Sequence, residues 1–390
     1  MTRNKKGEEV LHFAHQSVRE YLLRDNHPTL YTDVGVSSFR ESIAHQVVAR
    51  ICLIYLLSFD TQPISSENQG IRHFPLYNYA AEYWMDHINS GGTLEPELPH
   101  CILLERFFDS TSGNAYANWI RVYNPDSGSL RTTSPDPHEL PSPLYCSVLF
   151  GWLDVVTRML QRGGPSLLSS MGGKYGHPLH AASWKGDIPM VKLLLEEGAH
   201  VNTQAGVCGY ALNAASKAKR VGVARLLLDK GAEVNAVSDT KSKGPNTVLQ
   251  TVLQEAAAVY SESQKEAGLE LVTLLVEKGA DVNQSTTLEK GPLVIAASSG
   301  VPKIVRFLLD HGTERRYYGY ALQAAARCGH YATVKLLLDY GVDVNWVGGR
   351  YRTAIKAARE NGCQHVVQLL LEYGATSEEE DGKETEQAVL

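Results

Sequence analysis

A leucine followed by a glycine nineteen positions later recurs along this chain: Leu144 to Gly163, Leu179 to Gly198, Leu212 to Gly231, Leu293 to Gly312 and Leu322 to Gly341, with Ile355 to Gly374 in the same spacing. One further copy, Leu253 to Gly279, has the same ends with seven residues added between them. A tandem unit of roughly 33 residues folds as stacked supersecondary pieces and not around one central core. Such a stack places function on a shared surface rather than in a single pocket.

The clearest copy reads GHPLHAASWKGDIPMVKLLLEEGAHVN, Gly176 to Asn202. The spacing predicts one short helix around Leu179 and Ala182, a break at Gly186, and a second helix with Val191, Leu194 and Leu195 on one stripe. Gly198 ends that helix, because a left-handed C-cap costs glycine least. Helices this short are unstable alone. Each must bury its stripe against the next copy.

The unit resembles an ankyrin repeat. The family's T-P-L-H-x-A, central glycine, V-x-x-L-L and G-A-x-x-N correspond to His177-Pro178-Leu179-His180-Ala181-Ala182, Gly186, Val191 with Leu194-Leu195, and Gly198-Ala199 with Asn202. GAEVN at Gly231, GADVN at Gly279 and GVDVN at Gly341 repeat the ending, and the resemblance covers roughly residues 141–375. The histidine slot holds Tyr145, Asn213, Gln254, Val294, Gln323 or Lys356 in the other copies. Lys219 stands where the interhelix glycine is expected, which predicts a distorted turn. The connection from the third to the fourth copy is eight residues longer than usual, and the connection from the fifth to the sixth is four shorter.

Ahead of the repeats the pattern changes. Apolar periodicity predicts helices over residues 42–59 (stripe Ile43, Val47, Ile51, Ile54, Leu57) and 74–88, with one or two more over 99–119. Five of the sixteen prolines fall in residues 125–143, which marks a linker. His12-Phe13-Ala14-His15-Gln16-Ser17-Val18-Arg19-Glu20-Tyr21-Leu22-Leu23, and Tyr77-Asn78-Tyr79-Ala80-Ala81-Glu82-Tyr83-Trp84 with His87, are similar to segments that follow the nucleotide-binding unit of fungal NACHT–ankyrin proteins. That resemblance implies a switch NTPase upstream and a repeat array that senses or docks a partner, so residues 1 to about 120 look like the tail of a larger architecture. The expected organisation is all-α: a helical region at 1–124, a linker at 125–141, an ankyrin-repeat solenoid of about seven repeats at 142–376, and an acidic disordered tail at 377–390.

Several chemistries find no support in the residues. No G-x-x-x-x-G-K-[ST] occurs; Met171-Gly172-Gly173-Lys174-Tyr175 lacks the first glycine and the magnesium-binding hydroxyl. His12 and His15 share a helical face, but no second ligand pair completes a metal site. The six cysteines are scattered with no C-x-x-C, and no G-x-S-x-G is present. No catalytic residue, cofactor or metal is expected, and the chain reads as no enzyme. No stretch is apolar enough for a membrane span. The cysteine usage points to an intracellular protein of cytoplasm or nucleus. A net charge of −6 gives no general pull toward nucleic acid.

What remains is a protein-binding surface. Two late finger loops combine arginine with aromatics: Arg315, Arg316, Tyr317 and Tyr318 in one, Trp346, Arg350, Tyr351 and Arg352 in the next. These residue types dominate interface hot spots. Trp184, Lys185, Lys217 and Arg327 fall near the concave face that the first helices of such an array line. Together they predict a scaffold or adaptor whose protein partner carries an acidic patch. The other readings are the detached sensor part of a NACHT-type NTPase and an auxiliary protein or enzyme of fungal specialised metabolism.

Overall fold

The computed structural model describes residues 2–3, 9–10, 36–59, 75–92, 99–108, 114–131, 140–240, 244–256, 262–285 and 287–376. The histidines at 12 and 15 and the acidic tail lie outside them. Contacts divide the chain into two units, Met1–Gly164 with Met171–Gly173, and Pro165–Ser170 with Lys174–Leu390.

The first unit holds β1 (Thr2–Arg3) paired antiparallel with β2 (Glu9–Val10), then α1 (Val36–Leu57), α2 (Pro75–Ser90), α3 (Pro99–Phe108) and α4 (Ala115–Val122). The hairpin β3 (Tyr123–Asn124) and β4 (Ser129–Leu130) follows, then α5 (Pro143–Phe150) and α6 (Leu153–Gly163). Its core is aromatic. Trp84 meets Trp119 at 5.6 Å, Phe107 at 5.4 Å and Trp152 at 5.7 Å between ring centroids. Two of the three indole N–H groups are satisfied: Trp119 Nε1 donates to Ala81 O (2.9 Å) and Trp152 Nε1 to Asn89 Oδ1 (3.0 Å), while the buried Trp84 Nε1 has no partner among the described residues. Glu105 on α3 holds Arg158 (2.8 Å) and Arg162 (2.7 Å) of α6. Within this unit α5 and α6 thus meet the preceding helices through Trp152 and the Glu105 ion pairs.

Two expectations change here. Ile51 and Ile54 are half exposed, while α1 buries Ala49, Cys52, Leu53 and Leu56. From Val47 to Leu57 the helix is apolar nearly all round, Arg50 excepted, so periodicity could not choose its inner face. Part of the expected linker is ordered: Asn124-Pro125-Asp126-Ser127-Gly128 makes the β3–β4 turn, with the Asp126 N–H donating to Asn124 Oδ1 (3.1 Å) and Tyr145 Oη to Asp126 Oδ1 (2.6 Å). Residues 132–139 lie outside the described set. The tyrosines, Trp84 and His87 of the spacer-like string are packing residues of α2. His87 sits between Tyr79 Oη (2.8 Å) and His45 Nδ1 (2.7 Å).

The second unit is six helix pairs: α7 (Pro178–Lys185) with α8 (Ile188–Glu196), α9 (Ala211–Lys217) with α10 (Val221–Asp229), and α11 (Val248–Ala256) with α12 (Glu262–Glu277). Then come α13 (Pro292–Ser299) with α14 (Pro302–Asp310), α15 (Tyr318–Arg327) with α16 (Tyr331–Asp339), and α17 (Ala354–Glu360) with α18 (Gln364–Glu372). A short hairpin, β5 (Val237–Thr240) with β6 (Gly244–Thr247), fills the loop before α11. The first helices of successive pairs press closely on one another; the second helices touch more sparsely. Alanine explains the difference. Ala181–Ala182, Ala214–Ala215, Ala296–Ala297, Ala325–Ala326 and Ala357–Ala358 are fully buried on the first helices, and a methyl side chain lets helix axes approach. Leucine and valine fill the layer behind, between the second helices.

Polar side chains tie each copy to the next. Asn202 Nδ2 donates to Gly231 O (3.0 Å) while its Oδ1 accepts the Glu233 N–H (2.9 Å). Asn235 does the same to Gly279 and Asp281, Asn283 to Gly312 and Glu314, and Asn345 to Gly374 and Thr376. A second tie comes from the histidine slot. His180 Nε2 lies 3.1 Å from both Thr203 O and Gly209 O, and Gln323 Nε2 donates to Gly348 O (2.7 Å) and Arg352 O (2.8 Å).

This second tie corrects the register of the fourth copy. Gln250, not Gln254, fills the slot: its Nε2 donates to Gln284 O (3.2 Å) and Lys290 O (3.0 Å). Thr247 and Gln250 also form a reciprocal N-terminal box, with Thr247 Oγ1 accepting the Gln250 N–H (3.2 Å) and Gln250 Oε1 accepting the Thr247 N–H (2.9 Å). The leucine of the copy is therefore Leu249. The preceding loop gains four residues rather than eight, and eleven rather than seven lie within the helix pair. Much of that excess lengthens α12, which has 16 residues where the other second helices of this unit have 9.

Lys219 corrects another expectation. The turn is not distorted: Lys219 adopts φ 58°, close to the 65° to 85° of Gly186, Gly300 and Gly329. The lysine carries the strain that glycine avoids. In the first copy the C-terminal glycine is Gly164 (φ 70°), one residue later than the spacing indicates, because Gly163 stays helical.

Two outcomes follow. Lys219→Gly raises stability by about 1 kcal/mol, read as a shifted urea midpoint. The second concerns His180, whose burial lowers its pKa from 6.5 to about 4, with hydrogen bonds to Gly209 and Thr203 opposing. The unfolded chain takes up this proton below pH 6.5 and the folded chain does not until about 4, so His180 costs stability progressively as pH falls across that window. Its full contribution is present above pH 6.5, and the loss is on the order of 3 kcal/mol at the acid end. His180→Gln, the residue already used at positions 250 and 323, keeps the two-carbonyl tie. Denaturation measured from pH 7 to 4 should show a flatter stability profile for that variant.

Candidate protein-binding surface

The array's first helices and the fingers between copies form one continuous surface in the second unit. Several of its polar side chains are spent on the ties above. The informative residues are those the ties leave over.

At the fifth-to-sixth connection the finger is short, and the asparagine slot holds Arg316. Arg316 pairs with Glu314 (2.8 Å), and its guanidinium lies 5.1 Å from the Tyr317 ring centroid. Arg315 is exposed in the 3₁₀ turn Arg315–Tyr317. Tyr317 is buried, its Oη donating to Asn283 O (2.8 Å) and its ring covering Gly291, where a Cβ would come within 2.4 Å of it. That takes Tyr317 out of the exposed set. Tyr318 is half buried against Tyr340 (6.2 Å); burial raises its phenol, with Tyr340 adding and Arg315 opposing.

The next finger closes on itself through the Gly348–Arg352 bridge, with Gly349 at φ 61° and Arg352 at φ 63°. Trp346 does not project from it. Its ring lies on Gly319, where an added Cβ would come within 2.0 Å of Cδ2, and meets Tyr320 at 4.7 Å. Trp346 is thus the joint between the two fingers. Arg350 lies with its guanidinium 5.6 Å from the Tyr351 ring centroid.

Between this finger and the first helices lies an open cleft of about 250 Å³, lined among others by Glu289, Tyr320, Gln323, Arg327, Arg350 and Tyr351. It gathers three of the sequence-predicted residues, Arg327, Arg350 and Tyr351. Among the described residues neither arginine has an ion pair. Glu289, Tyr320 and Gln323 were not chosen from sequence. Gln323 had a signal, since its slot is the histidine slot; Glu289 reaches the cleft only through the path of its loop.

The early basic residues form a separate group. Tyr175 and Trp184 lie 5.2 Å apart, and Lys174 Nζ stands 5.4 Å from one ring centroid and 5.8 Å from the other. Lys217 and Lys174 both lower the Cys208 thiol, which burial raises more strongly. Lys185 is exposed at the end of α7. Among the described residues no cluster of three or more histidine, cysteine or acidic side chains could hold a metal ion, and no helix is long and apolar enough to cross a membrane. Burial pushes Cys52 up to about 12 and Cys146 higher still, so neither thiol is primed as a nucleophile.

Comparison with known proteins agrees with this geometry. Family models described as ankyrin repeats match residues 253–347, in three copies, and residues 177–205. The chain carries ankyrin repeats, and its second unit has the ankyrin-repeat solenoid fold. Among curated relatives, the azaphilone pigments biosynthesis cluster protein L of Monascus ruber is 34% identical over 208 residues, 50% of this chain and 42% of that protein. The ankyrin repeat and KH domain-containing protein mask-1 of Caenorhabditis elegans is 30% identical over 237 residues, 60% of this chain and 8% of that one. The chain thus spans less than half the length of these relatives. Among solved structures, the human ASB11 ankyrin repeat domain is 20% identical with a TM-score of 0.49, covering 59% of this chain and 98% of that one. The Bcl-3 ankyrin repeat domain is 24% identical with a TM-score of 0.47, covering 60% and 98%.

The Trp346 joint gives a direct test. Gly319→Ala places a methyl inside the indole and forces the finger to move, costing about 1–3 kcal/mol. Tryptophan emission should shift to the red relative to the parent chain.

Proposed function

We propose that the chain is a non-catalytic docking protein whose late copies, the fifth to the seventh, receive a protein partner bearing acidic groups. One observation carries this reading. In an array with several polar side chains spent on tying copies together, Arg327 and Arg350 face one cleft beside Tyr320 and Tyr351. Such guanidiniums suit bidentate recognition of carboxylates, and the phenol rings supply area at little entropic cost. The cleft is open to water, which suits binding better than chemistry that depends on preorganised charge. Ankyrin repeats are in general protein-interaction modules, and this assignment is the same role given a location.

A second reading concerns biological setting. The relative from Monascus ruber is named for a pigment biosynthesis cluster. A docking protein serving specialised metabolism is compatible with the same surface.

The test uses the double variant Arg327→Ala with Arg350→Ala, and a control pair Lys303→Ala with Lys335→Ala on the second helices. Both lysines and both arginines are exposed, so thermal midpoints should match the parent. Losing a charge-assisted contact costs about 1.5–3 kcal/mol, roughly tenfold or more in affinity. Proteins captured by the parent and the control pair should be lost by the arginine variant; an identical set from all three overturns the reading.

A further inference from the structure

The cleft beside Arg327 and Arg350 also holds an acid of its own. Glu289, Arg327 and Arg350 are exposed, line the same cleft, and form no ion pair among the described residues. No nitrogen of either arginine lies within 4.0 Å of the Glu289 carboxylate. Charges of both signs thus face one opening without neutralising each other.

The backbone that carries these charges is held in place. Glu289 sits in the 3₁₀ turn Leu288–Lys290. Gln250 Nε2 donates to Lys290 O (3.0 Å), and the Tyr317 ring covers Gly291. Arg350 sits in the finger closed by the Gly348–Arg352 bridge, whose two carbonyls both accept from Gln323 Nε2 (2.7 and 2.8 Å). Between these loops α15 forms the floor. Tyr320, Gln323, Ala324 and Arg327 fall at i, i+3, i+4 and i+7, one helical face about 10 Å long. The finger that leads into α15 is the shortened one, and it contributes no residue to the lining. The cleft is the gap left between the Glu289 loop before it and the Arg350 loop after it.

We propose that this cleft selects a mixed-charge segment of a partner protein: a carboxylate taken by Arg327 and Arg350, with a lysine or arginine close to it in sequence that pairs with Glu289. The proposal rests on the cleft being the docking site, and it makes Glu289 the specificity-determining residue there. The two guanidiniums outnumber the one carboxylate, so an acidic group anchors the segment. A run of acids is a poor ligand, because its further carboxylates meet Glu289 and like charges so placed cost affinity. A cation at that place turns the repulsion into an attraction. Selectivity of this kind comes as much from what the site repels as from what it holds.

The probe is a phage-displayed library of random dodecapeptides, panned on the full chain, on Glu289→Gln, and on the double variant Arg327→Ala with Arg350→Ala. All three positions are exposed, so thermal midpoints should match the parent. The parent chain is expected to enrich peptides with neighbouring acid and base, and Glu289→Gln to enrich acid-only peptides. For a synthetic copy of an enriched peptide, replacing its base by alanine should weaken binding to the parent about two- to fivefold and leave binding to Glu289→Gln unchanged. Acid-only peptides enriched by the parent, and bound more tightly by Glu289→Gln, overturn the mixed-charge proposal and leave the acidic-partner reading standing. Enrichment by the parent no different from that by the double arginine variant overturns both.

Discussion

Copies in this array leave backbone groups that their own helices cannot satisfy, and at four junctions one asparagine of the neighbouring copy satisfies two of them. The Asn202, Asn235, Asn283 and Asn345 ties each join a glycine carbonyl and an N–H of the following copy. Helices of seven to nine residues do not persist alone; these contacts, with the alanine seams between first helices, make neighbours depend on one another. The same dependence narrows the candidate surface, because a side chain that ties copies together is spent.

The break in the asparagine series between Asn283 and Asn345 is therefore the most telling departure. Arg316 occupies the slot, the finger is shortened, and Trp346 replaces the missing tie by packing its ring on Gly319 and Tyr320. A polar bridge between fingers has given way to an aromatic joint. Its consequence is spatial: with the tryptophan drawn inward, Arg350 and Tyr351 are left around the cleft opposite Arg327.

The two units are built differently. Within the first, the aromatic cluster takes in Trp152, and Glu105 pairs with Arg158 and Arg162 of α6. The last copy has Thr376 at the end of the asparagine series. There a finger-like start leads into an acidic sequence.

The repeat, its helix pairs and the terminating glycines were legible in the amino-acid sequence, because leucine spacing and left-handed C-caps are local requirements. The fourth copy was misplaced by four residues: Leu249 and Leu253 lie one helical turn apart on the same stripe, and the Thr247–Gln250 box that separates them was present but unread. Arginine and lysine candidates were found where they stand, since a long charged side chain on a finger or helix end stays near solvent. The aromatics were not separable by type. Tyr317, Tyr351 and Trp346 carry the same chemistry in the sequence, yet one is core, one lines the cleft and one is a joint. That choice depends on which glycine lies opposite, Gly291 or Gly319, and those neighbours are set by stacking one copy on the next. The sequence alone determined that this chain is a stack of mutually dependent helix pairs; only the tertiary structure decided which of its aromatic side chains pack between copies and which line the cleft, because that depends on the neighbours that stacking brings together.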